Sequence, residues 1–179
     1  MIDFIVTGLP RSGTTWVANW LTTDTTLCIH DPLYKYQVEE LDSLKTTKRL
    51  GISCTGIWRL PKFLSAHPAK KLILHRDLAE VNDSLKNEMN VPIITEEEAA
   101  TINDIIGVHV NYTDLFDPIA AKNIYETLLE KPFDAERHAY LVEINVQPNF
   151  GNLTFNKAAL DSFIHKVATY GNKFNSWVF

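Results

Sequence analysis

Apolar residues fall in short blocks that alternate between two periods. Phe4-Ile5-Val6 is a continuous apolar run ending at Thr7, the pattern of a buried strand. Val17, Trp20 and Leu21 then recur at helical spacing, which predicts a helix from about Gly13 to Leu21. Thr22 to Thr26 is a polar break. Leu27-Cys28-Ile29 reads as a second short strand that delivers His30-Asp31-Pro32 at its end. Residues 33–50 are weakly patterned: Leu41 and Leu44 suggest a short helix, and Lys45 to Arg49 a polar, basic turn. Ile52-Ser53-Cys54 reads as another strand, and Pro61 to Ala66 opens a helix that stops before Pro68.

Periodicity is stronger further on. Lys71 to His75 reads as a strand ended by Arg76-Asp77, and Leu78, Val81 and Leu85 share one face of the helix that follows. Thr95-Glu96-Glu97-Glu98 is a capping box and starts a helix. Val108 to Tyr112 alternates as a strand does. Asp117-Pro118 caps and opens a helix whose stripe is Ala121, Ile124, Tyr125 and Leu128. Asp134 caps a further helix to about Ile144, and Asn156 a last one with Leu160, Phe163, Ile164, Val167 and Ala168 on its face. Strands alternating with helices predict an α/β fold, a parallel sheet covered on both sides.

Length and charge narrow the picture. With 179 residues, the expectation is one domain over 1–179 with a sizeable core. A net charge of −5 gives no reason to expect nucleic-acid binding, so basic residues near a site are placed rather than spread. Cys28 and Cys54 make no disulfide framework and belong to no metal-like cluster. The six histidines (His30, His67, His75, His109, His138 and His165) lack ligand spacing, so no metal is expected. With neither a leader-like N-terminus nor an apolar run long enough for a bilayer, a cytoplasmic protein without membrane association is expected.

The chemistry gathers where the first strand meets the first helix. Gly8-Leu9-Pro10-Arg11-Ser12-Gly13-Thr14-Thr15 is a glycine-bounded loop whose amides, with the positive end of the helix, point at one place and suit an anion. The nucleotide-triphosphate loop G-x-x-x-x-G-K-[ST] would carry a lysine where Thr14 stands, and here the cation lies inside the loop as Arg11. Such a loop should hold phosphate but is poorly built for ATP hydrolysis or kinase chemistry.

Pro10-Arg11-Ser12-Gly13-Thr14-Thr15-Trp16 resembles the 5′-phosphosulfate loop of sulfotransferases that use 3′-phosphoadenylyl sulfate (PAPS) as donor, and the chain looks like a small member of bacterial or viral type. The resemblance implies a P-loop-type three-layer α/β/α fold and, as product, adenosine 3′,5′-bisphosphate. It implies that Arg11 and the backbone from Ser12 to Thr15 hold the 5′-phosphosulfate, and that Trp16 stacks on the adenine. In the family the 3′-phosphate is held by an Arg at a strand end and a Ser eight residues later, which maps onto Arg76 and Ser84.

Transfer to an alcohol needs a positioned base, which family members supply as a His or a carboxylate. Asp31 is the candidate, with His30 the alternative, and Arg11 is the cation for the leaving phosphate. A softer match runs from Val110 to Leu115, through Asp117-Pro118, to Lys131-Pro132-Phe133-Asp134. One departure stands out: a lysine common in the family ahead of the 3′-phosphate strand is missing from Ile52 to Gly56, leaving Arg59, Lys35 or Lys62 to replace it.

The acceptor expected is a small molecule, a glycan or a peptide, entering over residues 31–65, in a monomer or homodimer. The rival expectations are a non-catalytic 3′-phosphoadenosine nucleotide-binding module and a small-molecule kinase on the same scaffold.

Overall fold

A computed structural model describes residues 1–144 and His165. Five strands, β1 (Phe4–Gly8), β2 (Thr26–His30), β3 (Arg49–Ser53), β4 (Lys70–His75) and β5 (Val108–Asn111), form one sheet in the order β2-β3-β1-β4-β5. Every pairing is parallel. The helices are α1 (Thr14–Leu21), α2 (Pro61–Ala66), α3 (Leu78–Ser84), α4 (Glu96–Ala100), α5 (Pro118–Leu129) and α6 (Ala135–Glu143). Single 3₁₀ turns fill several connections.

The period-2 geometry of β1 sorts its side chains. Phe4 and Val6 enter a core with Trp16, Val17, Trp20 and Leu21 of α1, Ala121, Ile124 and Leu128 of α5, and Leu141 of α6. Ile5 enters the opposite core, with Ile52, Leu64 of α2, Ile73 and Val81 of α3. Helices therefore cover both faces of the sheet, which is why β1 reads as an unbroken apolar run rather than an alternating one. Each such side chain contributes about 1.5–3 kcal/mol by leaving water. Phe4 lies across Gly51, its partner in the register; a Cβ on Gly51 would come within 2.0 Å of the fully buried ring.

The caps at Thr95, Asp117 and Asp134 form as their sequences predict. Thr95 Oγ1 accepts from Glu98 N at 3.1 Å, Asp117 Oδ1 from Ala120 N at 2.8 Å, and Asp134 Oδ1 from Arg137 N at 2.9 Å. Three segments differ from expectation. Arg49, placed by its charge in a turn, opens β3 because its guanidinium reaches the closing carbonyls of α5, Leu128 at 3.3 Å and Leu129. The helix begun at Leu78 ends at Ser84 and continues as a π-helical turn over Leu85–Met89, stopped by Asn90 in the left-handed conformation (φ 49°). The 3₁₀ turn Val38–Ser43 stands where a short helix was expected near Leu41. The helix predicted after Asn156 lies outside the described residues, His165 apart.

Among the described residues no helix is long and apolar enough to cross a membrane. Nor do three His, Cys, Asp or Glu side chains gather there as a metal site would require.

Candidate anion and acceptor site

The site forms at the carboxyl edge of the sheet, where parallel strands release their loops. Between β1 and α1 the chain turns twice through positive φ, at Arg11 (67°) and Gly13 (91°). Gly13 cannot be replaced cheaply: besides its φ, a Cβ there would sit 2.9 Å from the Tyr112 ring. Ser12 N donates to Leu9 O at 3.2 Å and closes a turn, and its hydroxyl is buried without a hydrogen-bond partner. The first amide bonded within α1 is that of Val17, which donates to Gly13 O at 3.0 Å. The amides of Thr14, Thr15 and Trp16 therefore open the helix, at its positive end. The Ser12 N–H thus serves the turn, and the amides that open the helix begin two residues later, at Thr14.

Register brings the next groups alongside. His30 pairs with Ser53 across β2 and β3, so the residues just beyond, Asp31 and Thr55, leave neighbouring strand ends. Thr55 N donates to Asp31 Oδ1 at 2.6 Å, and Thr55 Oγ1 lies 3.0 Å from Thr14 Oγ1. His30 Nε2 lies 3.1 Å from Thr15 Oγ1, 3.4 Å from Thr14 Oγ1 and 3.4 Å from Asp31 Oδ2. Asp31 is itself held at φ 42°, a conformation that costs a non-glycine residue about 1–3 kcal/mol. Both candidate bases thus join the loop threonines in one polar cluster.

On the other side of the loop, β4 pairs directly with β1, and Gly8 stands opposite Leu74. Arg76 consequently emerges beside Arg11: its Nη1 donates to Arg11 O at 2.6 Å, and its guanidinium lies 4.7 Å from the centre of the Tyr112 ring. Arg11 Nε donates to Ser84 Oγ at 2.8 Å. Three residues picked from separate stretches of sequence, Arg11, Arg76 and Ser84, thus meet around one loop. Carboxylates lie on both cations. Glu88 pairs with Arg11 and accepts from Ser84 Oγ at 2.8 Å, and Glu80 pairs with Arg76 at 3.0 Å.

Trp16 is not part of this surface. Expected to offer a face to a base, it is 4% exposed, and its Nε1 donates to Leu141 O at 3.0 Å. Its ring packs 5.2 Å from those of Trp20 and Phe116. The cause is that α1 is buried on almost every side, so Val17 and Leu21 alone do not fill its surroundings.

A cleft of about 870 Å³ opens beside the loop. Pro10, Arg11, Gly13, Thr14, Thr15, His30 and Asp31 line it; Arg76 and Ser84 lie outside it, beyond Arg11. Its walls come from the turns after β2 and β3 and from the segment that follows α3. Burial, followed by the Asp31 carboxylate, pushes the Tyr34 phenol up to about 12, so it stands in the cleft as a neutral hydroxyl. Burial keeps the Cys54 thiol protonated as well. Of the three residues that could replace the absent lysine, Lys35 and Arg59 line the cleft. Arg59 is paired with Glu98 at 3.1 Å and stacked on Trp58, and Lys35 lies over the Tyr36 ring.

Sequence reasoning missed Thr55, Glu88 and the wall after α3. Thr55 was findable as a hydroxyl just past the end of a strand. Glu88 was findable as a carboxylate four residues beyond Ser84, one helical turn along. No protein-family model matches the chain, and no curated protein matches it.

Proposed function

We propose that this protein is a PAPS-dependent sulfotransferase on a P-loop-type fold, moving a sulfuryl group to a hydroxyl or amine acceptor. The observation that carries the reading is the meeting of Arg11, Arg76 and Ser84 around one loop, with a cleft on its far side. On this reading one doubly phosphorylated adenosine lies with its 5′ end on the loop and its 3′-phosphate on Arg76 and Ser84. The residues fit such a ligand, since anionic oxygens of Glu88 and Glu80 already rest on these two guanidinium groups. The loop follows the central strand of a β2-β3-β1-β4-β5 sheet, as a phosphate loop would. Two free, buried cysteines suit a reducing compartment such as the cytoplasm.

The donor supplies an activated sulfuryl group. Asp31 takes the proton: its Oδ1 is anchored by the Thr55 amide, while Oδ2 lies beside His30 Nε2 in the cleft. His30 is the alternative acceptor of that proton, since it reaches both loop threonines. As the acceptor oxygen bonds to sulfur, the bond from sulfur to the 5′-phosphate oxygen breaks and its electron pair stays on the phosphate. Arg11 and the opening amides of α1 meet that charge. No metal is needed for these steps.

A second reading, nucleotide binding without transfer, is favoured by one observation. The stretch from Ile52 to Gly56 carries no lysine, and Arg59 in the cleft is already paired with Glu98. Calorimetry separates the possibilities. Adenosine 3′,5′-bisphosphate should bind better than ATP, and Arg76→Ala should weaken the bisphosphate by roughly 1.5–3 kcal/mol, the range for a charged hydrogen bond. Adenosine 5′-monophosphate, which lacks the 3′-phosphate, should lose far less. Equal binding of all three ligands by both proteins would remove the case for a 3′-phosphate site. Tight bisphosphate binding with no sulfate moved to any acceptor would select the second reading.

A further inference from the structure

The cleft is chemically two-sided. One cluster of hydrogen-bonding groups on it is Thr14, Thr15, His30, Asp31 and Thr55, tied together by contacts of 2.6–3.4 Å. Away from the cluster, Tyr34, Tyr36 and Trp58 supply aromatic surface, and Leu85, Met89 and Ile93 supply aliphatic surface. The other charged residues on the cleft are Arg11, which pairs with Glu88, Arg59, which pairs with Glu98, and Lys35, whose ammonium lies over the Tyr36 ring.

The aliphatic wall is held in place rather than collapsed onto the core. Asn82 grips Ile94 twice, donating from Nδ2 to its carbonyl at 2.9 Å and accepting its N–H at Oδ1 at 2.8 Å. That clamp sends Ile94 inward, 4% exposed, and leaves its neighbour Ile93 on the cleft, 59% exposed. Tyr34, on the wall from the turn after β2, is 50% exposed. Apolar side chains fixed open across a cavity of drug-ligand size are the setting for an apolar ligand. A sugar acceptor would bury several hydroxyls against these walls, each costing about 1–3 kcal/mol when left without a partner.

We infer that the cleft takes a ring-bearing apolar alcohol, its hydroxyl at the polar cluster and its body between Tyr34 and Ile93. On the reading above, this ligand is the sulfuryl acceptor. Met89 lets the wall adapt to different ring shapes, which predicts tolerance in the ring system.

The test uses 2-naphthylmethanol as probe, against cellobiose and a tyrosine-bearing hexapeptide. Binding is read by saturation-transfer NMR, and transfer by label from radioactive PAPS. The probe should bind the wild type. It should bind Ile93→Asp roughly tenfold or more weakly, because the change removes apolar contact and places a charge beside the ring. Since Ile93 is exposed, the variant should melt within a few degrees of wild type. Binding of cellobiose or the peptide in place of the probe, or equal probe affinity in both proteins, overturns the inference. Probe binding that responds to Ile93→Asp with no label transferred upholds the cleft assignment and defeats the transfer reading instead.

Discussion

Glu88 is the sharpest lever on the anion site, because it holds a place that a phosphate would need. In the described structure its carboxylate bridges Arg11 and Ser84, and the Arg11 side chain is 14% exposed against 47% for Glu88. A 5′-phosphate arriving at Arg11, or a 3′-phosphate arriving at Ser84, must displace it. Glu88→Gln keeps the length and an accepting oxygen but removes the charge. Exposed pairs of this kind contribute about 0.2–1 kcal/mol, so relieving the competition should tighten adenosine 3′,5′-bisphosphate about two- to fivefold. The gain should shrink as salt rises from 50 to 500 mM, since one partner is half open to solvent. Calorimetry of both proteins at the two salt concentrations measures it, with a thermal melt confirming equal folding. Equal or weaker binding by Glu88→Gln at low salt, in a normally folded protein, would refute the argument that this carboxylate stands in for a phosphate.

Other consequences follow from the same geometry. Asp31→Asn tolerates the left-handed backbone and still accepts from the Thr55 amide, so bisphosphate affinity should hold while transfer falls by about 10²–10⁴-fold; parallel loss of both would make Asp31 a structural residue only. Gly13→Ala meets both a φ of 91° and the Tyr112 ring, and should cost at least 1–3 kcal/mol of stability by chemical denaturation, together with phosphate binding. His75 donates from Nε2 to His109 Nδ1 at 2.7 Å, since His109 Nε2 must carry the proton it gives to Ile105 O at 2.8 Å. Burial, and then the His109 ring, hold His75 below its usual range. The unfolded chain therefore binds more protons below pH about 6.5, and stability should fall as pH drops through that region. Urea unfolding of wild type and His75→Gln between pH 7.5 and 5 should show a smaller decline in the variant.

Much of the fold was legible because local chemistry and global packing agree. The Thr95 capping box, the Asp117-Pro118 start and the Asp134 cap each set a helix boundary without help from distant residues. Arg11 stood out as the cation inside the loop, and Arg76 and Ser84 were chosen because the sulfotransferase pattern that the chain resembles maps onto them; a parallel sheet sends such positions to one edge. What escaped depends on contacts that sequence period does not encode. Trp16 looked spare because a single apolar stripe was assumed for α1, whereas α6 and Phe116 close over its remaining side. Arg49 looked like a turn residue because only the folded chain brings the end of α5 within its reach. The wall from Leu85 to Ile94 has no regular period, being a π turn followed by irregular chain, so the shape of the cleft was not readable until Asn82 was seen to fix it.

The central claim is that one ligand spans the loop and the strand end beside it. The structure of the complex with adenosine 3′,5′-bisphosphate tests it most directly. The account predicts the 5′-phosphate at the opening amides of α1 and Arg11, and the 3′-phosphate within hydrogen-bond distance of Arg76 and Ser84, with Glu88 swung away. A bisphosphate bound elsewhere, or held at the loop with its 3′-phosphate in solvent and the Arg11–Glu88 pair intact, would contradict it.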